Sequence, residues 1–223
     1  MSQQRLQVVQ NILSANEAIA ETNRQILAKA RLFSINLMAS PGAGKTTLIE
    51  RTVRGLSPRY RILVIEGDIA TTLDAERAVA AGATAIQINT GGNCHLDAVM
   101  LNRALTQIDP GYFDLLIVEN VGNLVCPASF DLGTSANVLV ASVPEGHDKP
   151  HKYPSMYRGV DYVLLNKIDL LPYVDFDLDF FRKGLEALNP NVELRLISCR
   201  TGEGLSDWYQ WLESKIEYHR SLD

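Results

Sequence analysis

The chain has 223 residues, of which 46% are hydrophobic and 21% charged, and its formal net charge is −5. This length suits one α/β domain of ordinary size, and the composition is typical of a globular protein. The acidic balance argues against non-specific nucleic-acid binding, which requires a basic surface. No apolar run approaches the roughly 20 residues that a membrane helix needs, so no membrane contact is expected. The first ten residues lack an apolar signal core, which makes the cytoplasm the expected location.

The first predicted element is an amphipathic helical segment over residues 4–31, which contain no Gly or Pro. We therefore predict an N-terminal helical extension, residues 1–31, in front of a main domain, residues 32–223. The pattern fits one helix or two, and both packing on the core and contact with a second chain remain open as roles. The apolar residues at helical spacing are Leu6, Val9, Ile12, Leu13, Ala18, Ile19, Ile26 and Leu27.

Seven short, β-rich apolar segments follow, and helical segments separate several of them. Most are apolar on successive residues, as expected for strands buried on both faces. This alternation predicts an α/β fold with a doubly wound, mostly parallel sheet and helices on both faces. In such a sheet the ligand site lies beyond the carboxyl ends of the strands. The predicted strands are 33–39, 61–67, 84–90, 114–120, 137–143, 161–167 and 193–198; the predicted helices are 45–56, 73–81, 95–107, 176–188 and 205–221.

The first predicted strand leads into the sequence ASPGAGKTT, residues 39–47, called here the phosphate loop. Its glycines let backbone amides surround a phosphate, and the next helix directs its N-terminus at the anion. Lys45 would neutralise the β- and γ-phosphates in catalysis, and the Thr46 hydroxyl would bind Mg²⁺. Ala39 stands where the strict pattern has Gly, but the phosphate-binding part is intact. We predict a P-loop NTPase whose nucleotide contacts include Gly42, Ala43, Gly44, Lys45, Thr46 and Thr47.

The sequence NKID, residues 166–169, ends the sixth predicted strand and indicates which base is bound. Asp169 can accept hydrogen bonds from N1–H and the exocyclic amine of guanine, whereas adenine lacks that pair of donors. Asn166 and the stem of Lys167 would brace the loop and the base. The last strand ends at Ser198 and Cys199, where a backbone amide would meet the guanine carbonyl. These residues favour GTP over ATP.

Two acidic residues at strand ends are candidate ligands for the magnesium ion. Asp68 and Glu119 would each hold Mg²⁺, through water, because this ion retains much of its hydration shell. Asp68 is also placed to orient an attacking water molecule as a catalytic residue. Gly122, three residues after Glu119, would offer a backbone amide to the γ-phosphate. A solvated strand-end carboxylate is the alternative for each acid.

A cysteine and a histidine are adjacent in the sequence NTGGNCHLDA, in a chain with only 3 Cys and 4 His. Cys94 and His95 follow one predicted strand, and Cys126 follows another, so all three belong to the same edge of the sheet. Thiolate and imidazole ligands suit Ni²⁺ or Zn²⁺ and not Mg²⁺. Three ligands fall short of a closed tetrahedral site, which a second chain or exchangeable ligands would complete. Small, partly buried loop residues without a metal are the alternative.

Taken together, these segments resemble the hydrogenase nickel-incorporation GTPases, the HypB family, over about residues 33–212. The resemblance implies a GTP-hydrolysing metallochaperone that assists nickel insertion into the large subunit of [NiFe]-hydrogenase, together with a companion nickel-binding maturation protein. It also implies a homodimer favoured by GTP, with a nickel or zinc site of Cys94, His95 and Cys126 at its interface. Lys149 or Lys152 would reach the nucleotide of the partner chain. The matching segments are NLMASPGAGKTTL, EGD, NTGGNCHLDA, VENVGNLVCPASFDLG, EGHDKPHKYP, NKIDLLPY and SCRTGEG.

Two departures qualify the resemblance. Many family members carry N-terminal cysteine or histidine clusters, whereas residues 1–93 contain neither amino acid. Nickel would then pass through the cluster in the GTPase domain or be held by a partner. The related urease GTPases, the UreG family, use Cys-Pro-His, whereas Cys126 precedes Pro127 and Ala128 here, which favours HypB. An ATP-dependent P-loop kinase or ligase and a zinc-stabilised dimer module are further alternatives, and hydrolysis is expected to be slow because no arginine finger is evident.

Overall fold

The computed structural model describes residues 3–68 and 73–222, with side chains from residue 11 onward. The side chains of Leu6 and Val9 therefore lie outside the described part. Residues 1–2 of the predicted N-terminal extension and residue 223 of the predicted main domain lie outside it as well. The helices are α1 (Gln3–Lys29), α2 (Lys45–Leu56), α3 (Leu73–Ala81), α4 (Ala98–Leu105), α5 (Lys149–Lys152), α6 (Pro154–Arg158), α7 (Leu178–Leu188) and α8 (Leu205–Ser221). The strands are β1 (Phe33–Ala39), β2 (Ile62–Asp68), β3 (Thr84–Asn89), β4 (Leu115–Glu119), β5 (Ala136–Ser142), β6 (Tyr162–Asn166) and β7 (Glu193–Leu196).

The seven described strands form one sheet in the order β3-β2-β4-β1-β5-β6-β7, and every neighbouring pair is parallel. Successive residues of β2 enter opposite cores: Ile62 and Val64 pack with α2 and α8, whereas Leu63 and Ile65 pack with α1 and α4. A strand buried on both faces has no polar positions to alternate with apolar ones. The predicted α/β fold, with a doubly wound parallel sheet covered on both faces, is confirmed.

The N-terminal segment is one helix of 27 residues rather than two. Leu27 packs into the core shared with α4. Two buried asparagines on α1 supply polar contacts: Asn16 bonds to Ala98 N and Asp131 O, and Asn23 bonds to Ala98 O. The described part of α1 thus packs on the core, and the division of the chain at residue 31 stays a prediction.

Most element boundaries agree with the sequence prediction, but two helices begin later than predicted. α4 starts at Ala98, not at residue 95, because the Asp97 side chain accepts from Met100 N and caps the helix. Asp177 caps α7 in the same way. The predicted helical position of His95 is therefore wrong: this residue lies in the loop before α4. Within the described ranges no helix has the length and apolar character needed to cross a bilayer.

Candidate nucleotide and metal sites

The phosphate loop adopts a conformation that its glycines make possible. Gly42 and Gly44 have φ values of 77° and 106°, in the left-handed region that residues with a side chain seldom adopt. A Cβ atom at Gly44 would also lie 2.5 Å from Asn166 Nδ2. The Gly42 carbonyl accepts from Lys167 Nζ at 2.7 Å. Local sequence and tertiary contact therefore both specify glycine at position 44.

A cavity of about 490 Å³ lies between the phosphate loop and the ends of β2 and β4. Lys45 is nearly buried beside it, and burial lowers the pKa of its ammonium group, while Glu119 and Asp74 oppose that shift. The nearby carboxylates favour the charged form of the Lys45 ammonium group, which can then bind phosphate anions. Predicted residues that line this cavity are Gly42, Gly44, Lys45, Thr46, Thr47, Asp68, Glu119, Gly122 and Lys167.

Glu119 and Thr46, two of the predicted magnesium ligands, both line this cavity and are in direct contact. Thr46 Oγ1 donates to Glu119 Oε1 at 3.0 Å. Burial raises the pKa of Glu119 to about 7, against the effect of the nearby Lys45. Asp68 lines the same cavity, and Gly122 packs against Pro41 of the phosphate loop. These oxygen donors have the chemistry that Mg²⁺ prefers.

A second cavity of about 490 Å³ adjoins the first, since the two share Gly44, Thr47 and Lys167. Asp169 lines it, and its Oδ1 accepts from Ser198 Oγ at 2.6 Å. An extended ligand can therefore lie across the phosphate loop and end beside Asp169.

Asn166 joins the two sides of this second cavity. Its Nδ2 donates to Ala43 O at 2.9 Å, and its Oδ1 accepts from the Cys199 amide at 3.1 Å. The amide of Cys199 is thus bonded within the chain, and the prediction that a backbone amide near Cys199 meets the guanine carbonyl stays a prediction. Arg200, the next residue, also lines the cavity.

Three charged residues that line the first cavity were not among the predicted site residues: Glu66, Asp74 and Arg77. Glu66 is 2% exposed, and no described residue is a hydrogen-bond partner of its Oε2 atom. Burial, reinforced by Glu119, raises its pKa to about 8. Arg77 contacts Asp74 at 3.5 Å and Glu50 at 3.0 Å. The available signals were an acid within the apolar run VIEGD and an Asp–Arg pair three residues apart at the start of α3.

Cys94, His95 and Cys126, called here the Cys–His cluster, come together although two different loops carry them. One donor atom from each lies within 4.8 Å of the others. The two sulfur atoms are 2.9 Å apart, and Cys94 Sγ is 3.8 Å from His95 Nδ1. Two thiols and an imidazole fit the preferences of Ni²⁺ and Zn²⁺.

The surroundings of the Cys–His cluster favour a neutral histidine. The His95 ring stacks on Phe130 at a centroid distance of 3.9 Å. Burial lowers the pKa of His95, so its imidazole has a free electron pair at neutral pH. Hydrogen bonding to Cys126 raises the pKa of Cys94. A bound cation would favour loss of the thiol protons, because thiolates are the ligating form.

Lys149 and Lys152, the predicted cross-chain contacts, lie in α5 and not among the described residues that line the nucleotide cavity. Lys149 Nζ lies 5.6 Å from the centre of the Tyr153 ring. Lys152 pairs with Asp148 at 2.5 Å. The structure of one chain therefore shows neither lysine among the described residues of that lining.

Comparison with known proteins matches residues 33–195 to the family described as "CobW/HypB/UreG, nucleotide-binding domain". The hydrogenase maturation factor HypB of Rhizobium leguminosarum bv. viciae is 49% identical over 96% of this chain and 72% of its own length. A crystal structure of HypB from Helicobacter pylori in complex with nickel is 36% identical, with a TM-score of 0.86 over 92% of this chain and 96% of that one. HypB from Archaeoglobus fulgidus is 35% identical, with a TM-score of 0.85 over 91% and 99%.

Proposed function

The chain belongs to the HypB family of hydrogenase maturation factors, and we propose that it is a GTP-hydrolysing carrier that delivers nickel to the large subunit of [NiFe]-hydrogenase. The observation that carries this proposal is the position of the β4 loop (residues 120–126) between the two sites. Glu119 of the nucleotide cavity immediately precedes this loop, and Cys126 of the Cys–His cluster ends it. One loop therefore adjoins the site of phosphate chemistry and supplies a soft metal ligand.

In the proposed reaction the protein holds the triphosphate and orients water. Lys45 neutralises the phosphates, and the backbone amides of the phosphate loop and of Gly122 donate to them. Bound Mg²⁺ would supply further charge neutralisation and would be held by Thr46, Asp68 and Glu119. Asp68 is the proposed residue that orients the attacking water.

Guanine selectivity is proposed to come from the second cavity. Asp169 accepts from the base, while Asn166 and Lys167 hold the loop against the phosphate loop. The bond from Ser198 fixes the orientation of the Asp169 carboxylate before the nucleotide arrives. Because adenine would leave this acceptor unpaired, ATP should be strongly disfavoured.

Nickel is the proposed cargo of the Cys–His cluster, with Zn²⁺ as a competing ion. Cys94 is exposed, and so is Val125 beside Cys126, which leaves this surface accessible to a second chain. We propose that GTP favours a homodimer in which two such clusters meet and Lys149 or Lys152 reaches the partner's nucleotide. We also propose that residues 1–31, which contain α1, form a helical extension in front of the GTPase domain, residues 32–223. The companion nickel-binding maturation protein remains part of this proposal.

Cys126→Ala tests whether the two sites are chemically separate. Nickel affinity, followed by thiolate-to-nickel absorbance, should fall more than tenfold, because the variant removes a soft metal ligand. The GTP hydrolysis rate should stay within about threefold of wild type, because Cys126 is not among the described residues that line the cavity at the phosphate loop. Val125→Ala is the matched control, since it truncates an exposed side chain next to Cys126 and removes no metal ligand. Equal losses of nickel binding and hydrolysis in Cys126→Ala would contradict the proposal. Hydrolysis of ATP as fast as GTP would instead favour the kinase or ligase alternative.

A further inference from the structure

Asn123, in the middle of the β4 loop, is bonded to two other segments and to its own loop. Its backbone amide donates to Ala39 O at 2.8 Å, at the start of the phosphate loop. Its side-chain Nδ2 donates to Cys94 O at 3.2 Å. Its Oδ1 accepts from the amide of Val125, the residue before Cys126, at 2.8 Å. One side chain therefore joins the backbone beside both thiols, while the same residue is fastened to the phosphate loop.

The neighbours of Asn123 strengthen this connection on both sides. Asn120, which is 1% exposed, accepts through Oδ1 from the amide of Leu96, the residue after His95, at 3.0 Å. Gly122 packs so closely on the phosphate loop that a Cβ there would lie 3.2 Å from Pro41 N. A displacement of the phosphate loop or of Gly122 therefore cannot leave Asn123 in place without breaking a contact.

From these contacts we propose that Asn123 is a positioning residue that couples the state of the nucleotide to the metal affinity of the Cys–His cluster. The inference rests on the proposed function, because it requires both a bound nucleotide and a bound metal. Asn123 is assigned no contact with either ligand. It sets the separation of the Cys94 and Cys126 backbones, and the phosphate loop sets the position of Asn123. Coupling of this kind is reciprocal, so nickel must change nucleotide affinity by the same factor.

Asn123→Ala tests the proposal because it removes both side-chain bonds and keeps the backbone amide on Ala39. Asn93→Ala is the matched control: it makes the same substitution beside Cys94, at an exposed residue whose side chain makes no hydrogen bond within the described ranges. Nickel affinity is measured for wild type and both variants, with Mg²⁺ and either GDP or a non-hydrolysable GTP analogue. GDP affinity and thermal unfolding are recorded for each.

In wild type and Asn93→Ala, the two nucleotides should give nickel affinities that differ by roughly 5- to 150-fold, the usual range for coupled sites. In Asn123→Ala the ratio should fall below about threefold, with GDP affinity and the unfolding temperature close to wild type, because the backbone link remains. A wild-type ratio in Asn123→Ala would overturn the inference. So would equal losses of affinity in both nucleotide states, which indicate only a structural role.

The wild-type results separate the two levels of the proposal. If wild type binds nickel at the Cys–His cluster with the same affinity in both nucleotide states, the role of Asn123 is refuted and the metal site stands. If wild type binds no nickel at the cluster, the proposed function itself fails, and the inference fails with it.

Discussion

Asp169→Asn should change the base preference of the nucleotide site from guanine to xanthine, because it replaces a charged hydrogen-bond acceptor with a neutral amide. Asp169 Oδ1 accepts from Ser198 Oγ at 2.6 Å, which leaves Oδ2 and the second lone pair of Oδ1 for the two donors of the base. An asparagine that keeps its oxygen on Ser198 turns its NH₂ group toward guanine, whose facing edge also carries donors. Xanthine has a carbonyl in place of the exocyclic amine and therefore accepts from this NH₂ group.

The expected magnitude follows from the bonds that change. A hydrogen bond to a charged group contributes roughly 1.5–3 kcal/mol, and opposing two donors adds a further cost. We expect about 3 kcal/mol, or roughly a hundredfold weaker GDP binding. Competition of GDP and XDP against a fluorescent GDP analogue measures both affinities, and Asp175→Asn, an exposed aspartate in the same region, is the control. GDP affinity within threefold of wild type in Asp169→Asn would refute the assignment of Asp169 to the base.

Two further predictions concern stability. Burial acts to raise the pKa of Asp114, but its bonds to Arg61 and Arg220 prevail and hold it at about 2 instead of 3.8. A depressed carboxyl pKa stabilises the fold above the unfolded pKa, so Asp114→Asn should lower the free energy of unfolding by about 2 kcal/mol at pH 7. In urea titrations this difference should shrink as the pH falls from about 4 to about 2; a constant difference would contradict the ion-pair explanation. The buried Nε1–H of Trp208 donates to Thr52 Oγ1 at 2.8 Å. Thr52→Val removes this acceptor and should therefore lower the free energy of unfolding by about 1–3 kcal/mol. An unchanged free energy in urea unfolding would show that the bond contributes little to stability.

The parts of the fold that the sequence predicted well are those that local pattern determines. The β1 boundaries, residues 33–39, follow from a run in which every residue is buried. α2, residues 45–56, follows from Gly44, which directly precedes the helix, and from the apolar face of the helix. Burial of both faces of the sheet leaves few polar positions in its strands, so runs of apolar residues mark the strands in the sequence.

What the sequence could not predict depends on contacts between distant segments. The bond from the amide of Cys199 to the side chain of Asn166, 33 residues away, is one such contact. Glu66 lies in an apolar strand, and only the sheet register places it opposite Glu119 in the cavity. The sequence analysis assigned Asn123 no role, and its proposed role rests on contacts with the phosphate loop and with the loop that carries Cys94. The grouping of Cys94 with Cys126 was predicted only as far as a shared sheet edge.

Nickel titration of the Mg²⁺-loaded protein is the measurement that tests the central claim most directly. Thiolate-to-nickel absorbance is followed with GDP and with a non-hydrolysable GTP analogue, while light scattering records the mass. If Cys94, His95 and Cys126 form a nucleotide-controlled delivery site, the absorbance band appears, and affinity, stoichiometry and dimer fraction all change with the nucleotide. Nickel binding that is identical in both states, without the thiolate band or a change in mass, would contradict the account.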